Sequence, residues 1–248
     1  MIKTEEIIVR GQKSKPAVCD IFSYSPTNIE ELSLGNLYIV AELKTGEELS
    51  HLVSLLISLI KREYYFAPHR GPLASLENCL KKSNQALSEL ANQGNLDWLG
   101  NLNFACAALK DRDLFLAQTG NAQTWLWREG QLTNLAKKTV PSPKRPHPAK
   151  TFQSVVSGKT AIGDKLILAT PALFDLFSTP GFKQLLDLPK IENISDQINR
   201  TLREEKRPPA LGAFILEIAA DADESAVTDK ENKNKFTTPP IGLEEIIK

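Results

Sequence analysis

The order of strands and helices constrains the fold of this chain more than any other feature. Residues 5–10, 18–24 and 36–42 are rich in β-branched or aromatic side chains and are separated by Pro, Ser, Asn or Gly, which is typical of strands. Two long helical segments follow, at about 47–65 and 73–92, and the second has leucines at helical spacing. The chain therefore begins with a run of strands and continues with a run of helices.

The second half of the chain returns to strands. Residues 102–109, 113–120 and 122–130 are joined by tight turns, which predicts a run of antiparallel hairpins. The later segments are strand-like at 150–158 and 164–170, helical near 172–178 and 191–203, and strand-like again at 211–218. Because strands and helices come in runs rather than in strict alternation, we predict an α+β fold of stacked layers.

Charge and composition exclude some classes of partner. Thirty basic and thirty acidic side chains cancel, so no overall field would attract the chain to nucleic acid or to an anionic membrane. A hydrophobic content of 42% is sufficient for a sizeable core. We expect no nucleic-acid partner.

Cysteine usage and the apolar segments bear on location. Cys19, Cys79 and Cys106 lie far apart without a C-x-x-C pair, which favours neither a zinc site nor a disulfide framework and fits a reducing cytosol. The beginning of the sequence lacks the pattern of a signal peptide, and the most apolar stretch, residues 49–60, is too short to cross a membrane. We expect a cytoplasmic protein with no membrane span.

Two segments differ in character from the rest. Residues 140–150 hold four prolines and predict an exposed loop. Residues 219–248 are charged and polar, which predicts a disordered tail after a domain of residues 1–218. The end of this tail, IGLEEIIK at 241–248, is mildly amphipathic, so either a short docking motif or an unstructured end would fit.

Five segments share their order and spacing with the motifs of one enzyme family. They are VAELKTG at 40–46, SNQAL at 83–87, GNAQTWL at 120–126, GDKLILATPAL at 163–173 and PALGAFIL at 209–216. They resemble, in that order, the V-x-D-G-x-G, A-N-x-x-L, G-D-S-R-x-Y-L, G-D-x-L-L-L-x-S-D-G-L and D-N-x-T-V motifs of the bacterial metal-dependent protein phosphatases of the PPM (type 2C) family. The resemblance covers about residues 7–218 and implies a four-layer α-β-β-α sandwich.

The resemblance also implies a site for two divalent cations, held by aspartates, whose bridging water attacks phosphorus. At the positions of those aspartates this chain has Glu42, Pro171 and Pro209. Leu43 stands in place of the neighbouring glycine. Lys15 stands in place of the phosphate-binding arginine, and lysine cannot make the same bidentate contact. We therefore expect no catalytic residues and no cofactor at these degenerate positions.

A few polar residues could still contribute to a site. Asp20 is retained from the N-terminal R-x-x-N-E-D motif, whereas Asn121 replaces an aspartate. Asp164 and Asp175 are the other carboxylates that could restore metal binding. The lone Glu42, where a strand gives way to a loop, is expected to be an exposed remnant of a former metal position. The histidines are dispersed and predict no ligand pair; they are His51, His69 and His147.

Three hypotheses for function follow. The first is a pseudophosphatase that binds a protein partner, such as a phosphoprotein or a kinase, through a former active-site cleft. We expect that cleft to be lined by Glu42, Leu43, Thr170, Pro171 and Pro209.

The second hypothesis is an unusual active serine/threonine phosphatase that holds one Mn or Mg ion with Glu42 and Asp20, aided by Asp175. The third is a structural subunit in which only the fold is shared. In that case the apolar helix at 47–65 could form an oligomer contact, although burial in the core explains the same pattern. The sequence does not fix the oligomeric state.

Overall fold

Two antiparallel sheets stacked face to face carry the fold. The computed structural model describes residues 1–11, 17–44, 49, 51–135 and 147–220. Sheet I has five strands in the order β1 (Ile2–Val9), β10 (Leu211–Ile218), β9 (Lys165–Ala169), β6 (Gln123–Arg128) and β7 (Gln131–Asn134). Sheet II has the order β2 (Val18–Tyr24), β3 (Asn36–Leu43), β4 (Leu102–Lys110), β5 (Asp113–Thr119) and β8 (Val156–Lys159).

Helices cover the outer face of each sheet. Their bounds are α1 (Ile29–Leu32), α2 (Leu52–Tyr65), α3 (Gly71–Asn92), α4 (Pro171–Leu176), α5 (Thr179–Leu186) and α6 (Ile191–Glu204), with 3₁₀ turns at Pro68–Arg70 and Pro148–Lys150. The pair α2 and α3 packs on sheet II, and α4 to α6 pack on sheet I. The predicted four-layer α-β-β-α sandwich is confirmed.

The apolar core between the sheets explains why they stack. Strand β4 reads LNFACAALK, and all of its residues except Lys110 are buried, because one face meets the helices and the other meets sheet I. Ala105 and Ala107 face sheet I, where their small side chains leave room for Phe214 of β10. Phe214 stacks edge to face on Tyr38 with ring centres 5.5 Å apart. Because successive side chains on a strand point to opposite faces, these contacts fix which side of each strand faces the gap between the sheets.

The turn between β5 and β6 crosses from one sheet to the other. The sequence predicted a hairpin here, and that prediction is wrong: β5 pairs with β4 and β8 in sheet II, whereas β6 pairs with β7 and β9 in sheet I. The crossing runs through Gly120, which has a φ of 67°. A three-residue connection between strong strand segments looks the same in sequence whether its strands pair or separate.

Several other boundaries differ from the predicted ones. The predicted helix at 172–178 is α4, which ends at Leu176, and residue 177 is extended. The predicted helix at 47–65 is described from Leu52 onward, and the predicted strand at 150–158 is reduced to β8. The sequence did not predict α1, α5 or β7, each of which has eight residues or fewer.

Some predictions concern residues outside the described part of the chain. Most of the predicted loop at 140–150 and all of residues 221–248 of the predicted tail lie there. In the described part, no helix combines the length and the apolar character needed to cross a membrane.

Residues that follow the loop are fixed to α3 by one side chain. Asn84 donates from Nδ2 to the Phe152 carbonyl at 2.7 Å, and its Oδ1 accepts from the Phe152 amide at 2.9 Å. The Phe152 ring then packs edge to face on Phe104 of β4, with ring centres 5.2 Å apart. Asn84 belongs to the SNQAL motif, so this motif has a structural role in attaching the segment before β8.

Alanine substitutions at two glycines test the crossing at Gly120. Both Gly120 and Gly130 have positive φ, but a Cβ at 120 would overlap the Leu102 carbonyl oxygen, whereas a Cβ at 130 would have nothing within 4 Å. We expect Gly130→Ala to cost about 1–2 kcal/mol from backbone strain alone. Gly120→Ala should cost at least about 2 kcal/mol more, because the backbone must move.

Urea unfolding of both variants, followed by circular dichroism, measures this difference. Equal losses of unfolding free energy would show that the close approach at Gly120 is wrong.

Candidate functional site

The candidate site lies at the end of the sandwich where β3 ends and β10 begins. Glu42 pairs with Cys19 of β2 on one side and with Asn103 of β4 on the other. Val40, two residues earlier on β3, belongs to the core between the sheets, so strand alternation directs Glu42 into the same gap. Only 3% of Glu42 is exposed. The expectation that Glu42 is exposed is therefore wrong.

Groups of the chain itself hold the buried Glu42 carboxylate. Asn103 Nδ2 donates to Glu42 Oε2 at 2.7 Å, and Lys44 Nζ lies 3.8 Å from the same oxygen. Asn103 Oδ1 in turn accepts from the Asn121 amide at 2.8 Å, just after the crossing at Gly120. A buried carboxylate needs such partners because removal from water is costly. Asn103 of β4 thereby joins the carboxylate on β3 to the crossing that follows β5.

Sheet I closes the same end from the other side. Thr170, which precedes α4, is fully buried and donates its amide to the Gly212 carbonyl at 2.9 Å. Its Oγ1 accepts from the Gly212 amide at 3.1 Å. A Cβ at Gly212 would lie 2.9 Å from Cys19 Sγ, so the two sheets touch here. Glu42 and Thr170 are both buried in this seam between the sheets and do not line an open cleft, whereas Pro171 and Pro209 are half-buried.

Cys19 is an unreactive thiol in this seam. Burial, followed by the negative charges of Glu42 and Asp20, raises the pKa of Cys19 to about 12. A thiol with such a pKa remains protonated at neutral pH and is a poor nucleophile. Cys19 therefore contributes packing at the site and no covalent chemistry.

Two residues predicted at the site lie on the other face of sheet II. Asp20 pairs with Ala41, and Ala41 and Leu43 belong to the core beneath α2 and α3. Alternation along β2 and β3 therefore places Asp20 and Leu43 on the helix side, away from Glu42. The structure does not bring Asp20 and Glu42 to the same face, and it corrects the expectation that Leu43 lines the cleft.

The remaining candidate carboxylates lie elsewhere. Asp164 is at the far end of β9, where it accepts two hydrogen bonds from Arg128, at 2.7 and 2.6 Å. Asp175 is exposed on α4. Lys15 lies outside the described residues. The three histidines His51, His69 and His147 are exposed and dispersed.

The described residues do not fit a centre for two divalent cations. Pro171 begins α4 and Pro209 precedes β10, and neither offers a side-chain ligand. Two neutral oxygens, Gln118 Oε1 on β5 and Thr124 Oγ1 on β6, lack a hydrogen-bond partner within the described ranges. A search of the same ranges finds no group of three or more His, Cys, Asp or Glu side chains arranged for a metal. One carboxylate, already paired with a lysine and an amide, supplies too little negative charge for two such ions.

Comparison with solved structures identifies the fold. The Mycobacterium tuberculosis serine/threonine phosphatase PstP/Ppp matches with a TM-score of 0.65 and 15% identity, over 88% of this chain and 99% of that one. The fold is that of the PPM-type phosphatases. The catalytic domain of PstP in complex with two manganese ions matches this PPM-type fold with a TM-score of 0.64 and 14% identity, over 88% and 99% of the two chains.

A regulatory protein shares the PPM-type fold as well. PppA, described as a key regulatory component of the T6SS in Pseudomonas aeruginosa, matches with a TM-score of 0.57 and 14% identity, over 82% of this chain and 99% of that one. No protein-family model matches the chain, and no curated protein matches its sequence.

Sequence reasoning missed the residues that hold Glu42. Asn103 is the one strongly polar residue in the apolar run of β4, and that contrast was a usable signal. Lys44 follows Glu42 by two residues, a spacing that keeps both on one side of an extended chain. The pairing of Glu42 with Asn103 depends on strand register, which the sequence did not reveal.

Substitutions at Glu42 and Asn103 test this arrangement. We expect Asn103→Leu to cost about 2–3 kcal/mol of unfolding free energy, because it removes the main partner of a buried carboxylate. Adding Glu42→Leu should restore at least half of that loss, because both polar groups are then replaced by apolar ones. Lys44→Met, at a largely exposed side chain, should cost less than about 1 kcal/mol.

The four proteins can be compared by urea unfolding at pH 7. If adding Glu42→Leu restored none of the stability lost in Asn103→Leu, Glu42 and Asn103 would not be coupled, and the arrangement would be wrong.

Proposed function

We propose that this chain is a PPM-fold domain that does not hydrolyse phosphate esters and that acts by binding a protein partner. The observation that carries the proposal is the state of Glu42, whose carboxylate is paired with Asn103 and Lys44 of the chain itself. In this fold family that end of the sandwich is where the resemblance places the metal ligands. A carboxylate already neutralised in this way has little need of a cation.

The other positions support the same conclusion. Hydrolysis by two metal ions needs several oxygen ligands that converge on a water molecule. Pro171 and Pro209 supply none. The close approach of Gly212 to Cys19 also leaves the sheets packed where two metal ions would need space. The related PstP domain contains two manganese ions, so the fold itself accepts such a centre. The difference therefore lies in the side chains of this chain.

An active enzyme is the second candidate. It would require Glu42 and Asp20 to share an ion, but β2 directs Asp20 to the helix side of sheet II. Moving Asp20 to the inner face would require β2 to shift by one residue. Val18 and Phe22 would then lose their packing in the core beneath α2 and α3. This cost favours the non-catalytic function.

A protein partner is the class of ligand that fits a domain without a catalytic centre. PppA, which shares the fold, is described as a regulatory component, and this supports a regulatory role for the present chain. We propose that the partner is a signalling protein, such as a phosphoprotein or a kinase. A purely structural subunit would need a different surface, since α2 buries most of its apolar side chains against sheet II.

Manganese titration tests the proposal. We expect no binding heat by calorimetry and no hydrolysis of p-nitrophenyl phosphate on the same sample. The midpoint of thermal unfolding should also be the same in EDTA and in excess manganese. A bound metal would raise it, since a metal present at 100 times its Kd adds about 2.7 kcal/mol of stability.

Two variants separate true activity from contamination. Glu42→Ala removes the buried carboxylate, and Asp175→Ala removes an exposed carboxylate on α4 as the matched control. Manganese-dependent turnover that is lost in Glu42→Ala and kept in Asp175→Ala would overturn the proposal. Turnover that both variants retain in full would come from a contaminating phosphatase.

A further inference from the structure

Three large apolar side chains are exposed together at the opposite end of the sandwich. Ile29 and Leu32 lie one turn apart on α1 and are 85% and 47% exposed, and Phe66, which follows α2, is 73% exposed. We call these three residues the α1 corner. Single exposed apolar residues are common, but three at one end of a domain favour a binding surface.

Hydrogen bonds hold the two parts of the α1 corner in place. Tyr64 donates from its hydroxyl to the Leu34 carbonyl, and Tyr65 donates to the Gly35 carbonyl, both at 2.8 Å. These bonds attach the end of α2 to the connection between α1 and β3. The corner is therefore a preformed surface, which reduces the entropy cost of binding.

Two grooves are lined in part by residues of α1. One groove of about 370 Å³ is lined by Glu31, Lys61, Arg62 and the ring of Phe66. In both grooves the lining has one more basic than acidic side chain. Arg62 is also paired with Glu63 at 3.0 Å, so Lys61 is the cation of the first groove that an acidic ligand would meet.

The second groove connects the corner to the end of the described chain. Its volume is about 680 Å³, and both Leu32 and the pair Ile218 and Ala219 line it. Ala219 exchanges two hydrogen bonds with Met1, at 2.9 and 3.1 Å, which fixes the chain at this point. The last described residues of the chain therefore lie beside the α1 corner.

One later segment has the composition that this surface suits. Residues 241–248, IGLEEIIK, contain four large aliphatic side chains together with Glu244, Glu245 and Lys248. Twenty residues, 221–240, separate the segment from Ala220. Such a length reaches up to about 65 Å when extended, so the corner is within easy reach.

We propose that residues 241–248 dock on the α1 corner of the same chain. In this proposal the aliphatic side chains cover Ile29, Leu32 and Phe66, and the glutamates face Lys61. Tethering favours this occupant, because a short linker gives a local concentration in the millimolar range. The inference concerns a surface remote from Glu42 and does not depend on the proposed function.

Hydrogen exchange of the full chain, followed by mass spectrometry, tests the docking. We expect the amides of residues 242–248 to exchange at least about tenfold more slowly than in a free peptide of the same sequence. Phe66→Ser and Ile29→Ser should each return the exchange to within about twofold of the free peptide. Leu55→Ser is the matched control, because Leu55 is 65% exposed on α2 but lies outside the corner, and it should leave the protection intact.

The outcomes separate the possible occupants. Protection that is independent of protein concentration and is lost only in the two corner variants supports docking within one chain. Protection that rises with concentration would mean that a second copy supplies the segment, and it would overturn the proposal. Exchange at the free-peptide rate in the unmodified chain would also overturn it, and would leave the corner open to a separate protein.

Discussion

Burial of the Glu42 carboxylate is the constraint on which the rest of this end of the molecule depends. Between two apolar sheets a charged group must find partners or destabilise the fold. Asn103 supplies a hydrogen bond at 2.7 Å, and Lys44 supplies a positive charge from the rim. Asn103 also binds the Asn121 amide, so the contact extends to the crossing at Gly120 between the sheets. The hydrogen bond between Asn103 and Glu42 therefore connects the buried carboxylate of the site to the segment that joins the two sheets.

The layered fold could be predicted because its main signals are local. Runs of β-branched residues and leucines at helical spacing predicted most strands and both long helices, and the resemblance predicted the sandwich. The crossing between β5 and β6 could not be predicted, because a tight turn carries no information on which sheet receives the next strand. The short helices α1 and α5 were missed since their apolar pattern is too brief to have a period.

The sequence indicated which segments form the candidate site, but not which side chains share a face or are buried there. The sequence pointed to Glu42 and to prolines at the other ligand positions, and these lie at one end of the sandwich. It did not show that Asp20 lies on the opposite face, because only the pairing of Asp20 with Ala41 reveals this. It also treated Glu42 as exposed, since a lone glutamate at a strand end usually is. Strand register, which sets both outcomes, arises from long-range packing.

The most direct measurement is a crystal structure grown in manganese, with anomalous diffraction recorded for that metal. We predict no anomalous peak beside Glu42, and a direct contact of about 2.7 Å between Asn103 Nδ2 and Glu42 Oε2. A manganese peak within coordination distance of the Glu42 carboxylate, with Asn103 or Lys44 displaced, would contradict our interpretation. It would mean that the site has been rebuilt around a single glutamate rather than closed.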